Sequence, residues 1–256
     1  MKDTEPILGV VGGMGPYAGL ALVKKVFDHT VAHTDQEHVP VLLFSFPNRI
    51  PDRSAYLSGK EKLNPAYPIA DILESMERVG VTVAGIPCNT AHVPRIFDVL
   101  VSLVDERKIR LKLLHIVRET VRFIQEHFPG VKRVGVLSTL AAYRERLYAQ
   151  ALEEAGYEVV VPDETVQTNI VERAIFDPDY GIKAKSDPVS PIARQGLLSA
   201  IEHLREKGAE LIVLGCTEIP LAIPEAEIDG VPLVDPMVAL GRALLRESYP
   251  EKLREL

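Results

Sequence analysis

Two cysteines are the only thiols in this chain of 256 residues, and they stand in matching places. Cys88 ends the run Val81-Thr-Val-Ala-Gly-Ile-Pro-Cys, and Cys216 ends Glu210-Leu-Ile-Val-Leu-Gly-Cys. In each, an apolar strand stops at a thiol and a threonine follows within two residues (Thr90, Thr217). A proline comes soon after (Pro94, Pro220), as where a helix starts. A thiol at a strand's C-terminal end, beside a helix N-terminus, lies where open α/β sheets bind ligands and where thiolates are stabilised. One cysteine alone would read as a small buried hydrophobe. A matched pair, with no other cysteine in the chain, reads instead as two acid/base groups facing one substrate, both reachable from solvent.

The polar neighbours fit that reading. Asn89, Thr90 and Thr217 offer donors at helix starts, which suit a carboxylate, although Asn and Thr also cap helices routinely. His92 lies four residues after Cys88, a spacing open to a metal or a Cys–His nucleophile. Orientation of the loop is the better reading, because a metal needs more ligands than this stretch supplies. Arg53, in Asn48-Arg-Ile-Pro-Asp-Arg-Ser, follows the second strand and faces the same side; its plain alternative is a solvated arginine or an ion pair with Asp52. Lys183, in Tyr180-Gly-Ile-Lys-Ala-Lys, stands on the irregular, proline-bearing stretch 177–191, and its plain alternative is a surface lysine.

A glycine-rich loop, Gly9-Val-Val-Gly-Gly-Met-Gly-Pro, comes directly after the first strand. Gly13-Met-Gly-Pro-Tyr-Ala18 fits a loose dinucleotide fingerprint, but the acidic residue expected at the end of the second strand is missing. Asp35 and Glu37 precede that strand, which ends Phe44-Ser-Phe-Pro. The loop reads better as a tight turn baring N–H groups to a small anion, with Pro16 opening the helix.

Elements able to position these residues alternate along the chain. Strands are expected at 7–11, 41–46, 81–86, 111–117, 133–137, 157–161, 211–214 and 231–234. Helices are expected at 17–31, 67–79 (Ile69, Ile72, Leu73 and Met76 on one face), 94–104, 118–128, 142–155, about 166–175, 192–207 and 236–247. Continuous apolar strands between helices imply parallel sheets covered on both faces. The pattern also repeats: 79 positions separate Gly9 from Cys88 (88 − 9) and 81 separate Gly135 from Cys216 (216 − 135). The expected architecture is α/β, with two pseudo-symmetric domains and the active site in the cleft between them. The first domain spans 1–117 with the C-terminal helix 237–256 and carries Cys88; the second spans 118–236 and carries Cys216.

At 46% hydrophobic and 25% charged residues the chain can build an ordinary globular core. A net charge of -7 argues against nucleic-acid or membrane-surface partners. The first residues, Met1-Lys-Asp-Thr-Glu-Pro, lack the build of a signal peptide, so a cytoplasmic protein without a disulfide is expected.

GGMGP, PDR, PCNTAH, GCTE and VPLVDP together resemble the aspartate/glutamate racemase family, in particular its PLP-independent aspartate racemase and broad-specificity branch. The resemblance runs from Gly9 to about Pro236. It implies a homodimer of two-domain chains that acts on an amino acid without cofactor or metal, with Cys88 and Cys216 as the catalytic pair. It also implies that Asn89, Thr90 and Thr217 bind the α-carboxylate, and that Arg53 and Lys183 hold an acidic side chain. Met14, in GGMGP, and Thr139, in Leu137-Ser-Thr-Leu, complete the substrate-binding set. Glutamate racemases proper usually carry His after Cys-Thr and an Asp-Ser pair in the first loop; this chain has Glu218 and Gly12-Gly13. Leu140-Ala-Ala-Tyr departs from the family's Thr/Gly-rich turn. The expected activity is interconversion of L- and D-aspartate or glutamate by one thiolate and one thiol. Alternatives are a broad-specificity racemase of neutral amino acids, a maleate-isomerase-like relative and a non-catalytic amino-acid-binding protein.

Overall fold

The computed structural model describes residues 5–256, so Met1 to Thr4, on which the signal-peptide argument partly rests, lie outside the described residues. The chain divides into two compact units, Met1–Ile116 with Met237–Leu256, and Val117–Pro236. Among the described residues, no helix is long and apolar enough to cross a membrane.

In the first unit, β1 (Ile7–Gly12), β2 (Val41–Ser45), β3 (Val81–Gly85) and β4 (Lys112–Leu114) form one sheet in the order β2-β1-β3-β4, with every pairing parallel. The helices between them are α1 (Pro16–Asp28), the short α2 (Arg53–Leu57), α3 (Ala66–Arg78) and α4 (Pro94–Glu106). Pro16 and Pro94 open α1 and α4, where a missing N–H costs nothing. Ile69, Ile72, Leu73 and Met76 are buried on α3, as their spacing predicts.

The second unit repeats the arrangement. After α5 (Ile116–His127) come β5 (Arg133–Ser138), α6 (Leu140–Arg144), α7 (Leu147–Glu154) and β6 (Glu158–Val160). The next helical stretch runs through α8 (Glu164–Val166), a π-helical turn (Gln167–Val171) and α9 (Glu172–Phe176). Then come α10 (Pro191–Glu206), β7 (Leu211–Gly215), α11 (Ile219–Ala222), β8 (Glu227–Ile228) and β9 (Val231–Val234). The sheet order is β6-β5-β7-β9-β8, parallel except for β8. Without β8, it matches the first sheet strand for strand. The last helix, α12 (Pro236–Ser248), belongs almost wholly to the first unit.

The structure corrects several expectations. The helix expected over 142–155 is two helices, separated at Arg146, which is left-handed with φ 54°. The strand expected over 111–117 is three residues long, and α5 already starts at Ile116. The strand β8 and the short helices α2 and α11 are additions to the expected set. The fingerprint loop is a tight turn: Gly13 has φ +95°, and a Cβ there would lie 2.9 Å from the Pro47 nitrogen. Only glycine meets both demands.

Candidate active site

Both thiols stand just past the C-terminal end of the equivalent strand of their own sheet, Cys88 after β3 and Cys216 after β7. Each borders its unit's hydrophobic core. They are 5% and 4% exposed, so the expectation of open access to solvent does not hold in this structure.

The Cys88 backbone is extended, and its N–H donates to the Ile86 carbonyl at 2.8 Å. Between the thiol and α4, which begins at Pro94 as expected, the chain makes a 3-10 turn, Asn89–His92. The turn buries Asn89 and Thr90 beside the thiol. His92 Nδ1 lies 2.9 Å from the Cys88 carbonyl oxygen, and its ring stacks on Phe97 and meets His115 edge-on. Burial lowers its pKa from 6.5 to about 4, so the ring is neutral near pH 7 and Nδ1–H donates to that carbonyl. His92 therefore orients the Cys88 loop, and no metal set forms around it among the described residues.

Arg53 begins α2, whose N-cap is the Asp52 carboxylate, accepting from the Ala55 N–H at 2.7 Å. The Arg53 guanidinium is almost buried and donates to the Met14 carbonyl at 3.2 Å and the Pro51 carbonyl at 3.1 Å. Arg53 thus joins the glycine-rich loop to the loop after β2. The Met14 side chain lies in the core, so what Met14 offers this region is its backbone.

In the second unit Thr139 caps α6, its Oγ1 accepting from the Ala142 N–H at 3.2 Å. Two residues not singled out in the sequence hold this turn. Glu172 accepts from the Leu140 N–H at 2.7 Å, and Gln167, on the π-helical turn, donates to the Ser138 carbonyl at 2.9 Å. Around Cys216, the Sγ donates to Glu218 Oε2 at 3.1 Å, and Lys183 Nζ donates to Glu218 Oε1 at 2.6 Å. Thr217 Oγ1 reaches Glu218 Oε2 at 3.4 Å. Burial pushes the Cys216 thiol well above its ordinary range and the Glu218 charge pushes the same way, with Lys183 opposing. This corrects the expectation of a thiolate stabilised by a helix N-terminus, since α11 is only four residues long. Glu218 stands out in the sequence only as a departure from glutamate racemases, and its contact with Cys216 is the main feature missed there; the available signal was a carboxylate inside the otherwise apolar stretch 211–222.

Each unit thus carries a buried thiol just past the equivalent strand of a like-folded parallel sheet. The chain belongs to the Asp/Glu/Hydantoin racemase family, whose profile matches residues 11–244. It is accordingly an isomerase of the racemase type. It is 24% identical over 242 residues to the broad specificity amino-acid racemase RacX of Bacillus subtilis (strain 168), covering 93% of this chain and 96% of that protein. It resembles the structure of Picrophilus torridus aspartate racemase with TM-score 0.78 and 26% identity, over 95% of this chain and 94% of that one. The fold is also that of Francisella tularensis glutamate racemase, solved with D-glutamate, at TM-score 0.66 and 20% identity, over 98% of this chain and 83% of that one.

Proposed function

We propose that the protein interconverts the enantiomers of an amino acid by a two-thiol mechanism, with aspartate or glutamate as the leading substrate. The observation that carries this reading is the pair of thiols at equivalent strand ends of two sheets of one topology. Racemisation removes the α-proton from one face of the carbon and returns a proton to the other. A thiolate and a thiol do this in either direction with roles exchanged. The carbanion that forms needs donors aimed at the carboxylate, and Asn89, Thr90 and Thr217 are assigned that role. Arg53, Lys183, Met14 and Thr139 complete the substrate contacts. Arg53 and Lys183 are the groups whose chemistry suits a second carboxylate. The protein acts in the cytoplasm, as a homodimer, without cofactor or metal; the sequence resemblance and the composition support these points.

One observation favours a second reading, a broad-specificity racemase of neutral amino acids. Lys183 already neutralises Glu218, which lessens its pull on an acidic side chain. The test is incubation with each L-amino acid in D₂O, following α-proton loss by NMR and formation of the D-isomer by chiral chromatography. Fastest turnover of aspartate or glutamate supports the leading reading. Faster turnover of alanine, methionine or homoserine selects the second, and no exchange with any amino acid removes both.

A further inference from the structure

The stretch Leu140-Ala-Ala-Tyr supplies Ala142 and Tyr143 to a cavity of about 230 Å³ within the second unit. None of the residues assigned to the substrate lines it. In the first unit the matching space is closed. There β1 ends at Gly12, and α1 lies so near that a Cβ on Gly19 would stand 3.2 Å from the Gly12 Cα. In the second unit β5 ends at Ser138, and the helix that follows is broken at Arg146 into α6 and α7. The cavity lies at this break, with an apolar wall of Val136, Ala142, Leu147, Ala149 and Val161. Arg144, Arg146 and the Tyr143 hydroxyl stand around it, and no acidic side chain lines it. Tyr148 lines it too, but burial keeps that phenol protonated, 3.4 Å from Thr120 Oγ1, so it brings no negative charge. Arg146 is already paired, donating to both Glu153 carboxylate oxygens at 2.7 and 2.8 Å. Arg144 differs: it is exposed and makes no hydrogen bond or ion pair among the described residues.

We propose that this cavity is a second small-molecule site, for an organic monocarboxylate whose apolar body is about the size of a benzene ring. A dry apolar cavity of roughly 150 Å³ takes one benzene molecule. A volume of about 230 Å³ therefore leaves room for a short carboxylate arm beside the ring. The unpaired Arg144 guanidinium offers a planar fork of N–H donors, which matches a carboxylate. The wall gives a bare inorganic anion nothing apolar to bury, and an uncharged hydrocarbon leaves Arg144 unused; a ligand with both parts uses both. An amino acid fits worse, because its ammonium would meet two arginines and no acid, so the site selects against the substrate class of the thiols. The place in the fold gives the site a bearing on the second thiol. Ser138 pairs with Gly215, one residue before Cys216, and a Cβ on Gly215 would stand 3.0 Å from the Tyr148 ring. Both Ser138 and Tyr148 line the cavity, so an occupant touches the two residues that back the end of β7.

The test is an NMR titration of the full-length protein carrying ¹³C-methyl-labelled alanine, with 3-phenylpropionate as the probe. Ala142 and Ala149 report on the cavity, while Ala91, in the turn after Cys88, and Ala222, on α11 after Cys216, report on the thiols. Saturable shifts, with Kd in the millimolar range or tighter, should appear at Ala142 and Ala149 and leave Ala91 and Ala222 in place. Arg144 is exposed, so Arg144→Ala should keep the fold and weaken binding about tenfold. The uncharged 3-phenylpropanamide should bind the unmodified protein about tenfold more weakly than the acid. Ala149→Leu fills the cavity and should abolish the shift at Ala142; where that variant does not fold, Arg144→Ala and the amide decide. No saturable shift at Ala142 and Ala149 overturns the proposal. So does equal binding of acid and amide, or unmodified affinity in Arg144→Ala. Shifts at Ala91 and Ala222 with none at the cavity place the probe at the thiols and overturn it as well. The titration reads binding alone, so a protein that exchanges no α-proton in D₂O and still binds the probe at Ala142 and Ala149 loses the racemase reading and keeps this site.

Discussion

Each thiol is held by a different residue. Cys88 has a neutral imidazole fixed to its carbonyl, and Cys216 has a carboxylate on its sulfur. The two-base reading makes both indispensable. Cys88→Ser and Cys216→Ser should each abolish racemisation, because a hydroxyl is far too weak an acid to replace a thiol in this exchange. Either variant should still exchange the α-proton of the enantiomer that presents it to the surviving thiol, which NMR in D₂O would detect. Full racemisation by either serine variant would exclude the mechanism. Arg53 is a subtler case, since its guanidinium also holds the Met14 and Pro51 carbonyls. A charge-assisted hydrogen bond to substrate contributes roughly 1.5–3 kcal/mol, so Arg53→Ala should cost about ten- to a hundredfold in kcat/KM for aspartate or glutamate. Steady-state kinetics on acidic and neutral amino acids separate the two roles. An equal loss for both classes would mean that Arg53 serves the loop and not the side-chain carboxylate.

At the scale of elements, the turn Asn89–His92 is the least conventional piece of the site and has a pH signature. The His92 pKa falls from 6.5 to about 4 on folding, chiefly through burial. The folded state therefore binds fewer protons than the unfolded state between those values. Stability from this group is complete above about pH 6.5 and drains away as pH falls towards 4, a loss of roughly 3 kcal/mol. His29, lowered to about 4 by burial and by Arg242, adds to the same slope. Denaturant unfolding measured from pH 7 to pH 4 should show this decline, and His92→Gln should flatten it while lowering stability at pH 7. A slope unchanged by the substitution would remove His92 from the account. The parallel strands, the long helices and the internal repeat were legible in the sequence because continuous apolar runs and 3.6-residue spacing carry them. The break at Arg146 was not: apolar residues continue across it, and arginine is a good helix former, so nothing local marks a left-handed residue. The candidate cysteines, Asn89, Thr90 and Thr217 were visible through their repeated context. The bond from Cys216 to Glu218 was not, because it depends on Lys183, 35 residues away, arriving on the other carboxylate oxygen.

Over the whole molecule, two units of like topology each enclose their own core, yet the chain leaves the first unit at Ile116 and re-enters it at Met237. The returning α12 is what completes the first unit. Leu240, Ala243, Leu244 and Leu245 on it are fully buried, and the Leu240 side chain lies within 3.1 Å of where a Cβ on Gly85 would stand. Gly85 ends β3, three residues before Cys88. A helix contributed from the far end of the sequence thus backs the strand that carries the first thiol. Leu240→Ala removes a buried side chain from a packed site and should cost about 2–5 kcal/mol. Because each unit has its own core, the loss should fall on the first alone. Hydrogen exchange read by mass spectrometry should show faster exchange in peptides from β1, β3 and α3, with those from β5, β7 and α10 unchanged. Equal acceleration in both sets would show that the units unfold as one, and that the repeat in the sequence does not correspond to separate folding units.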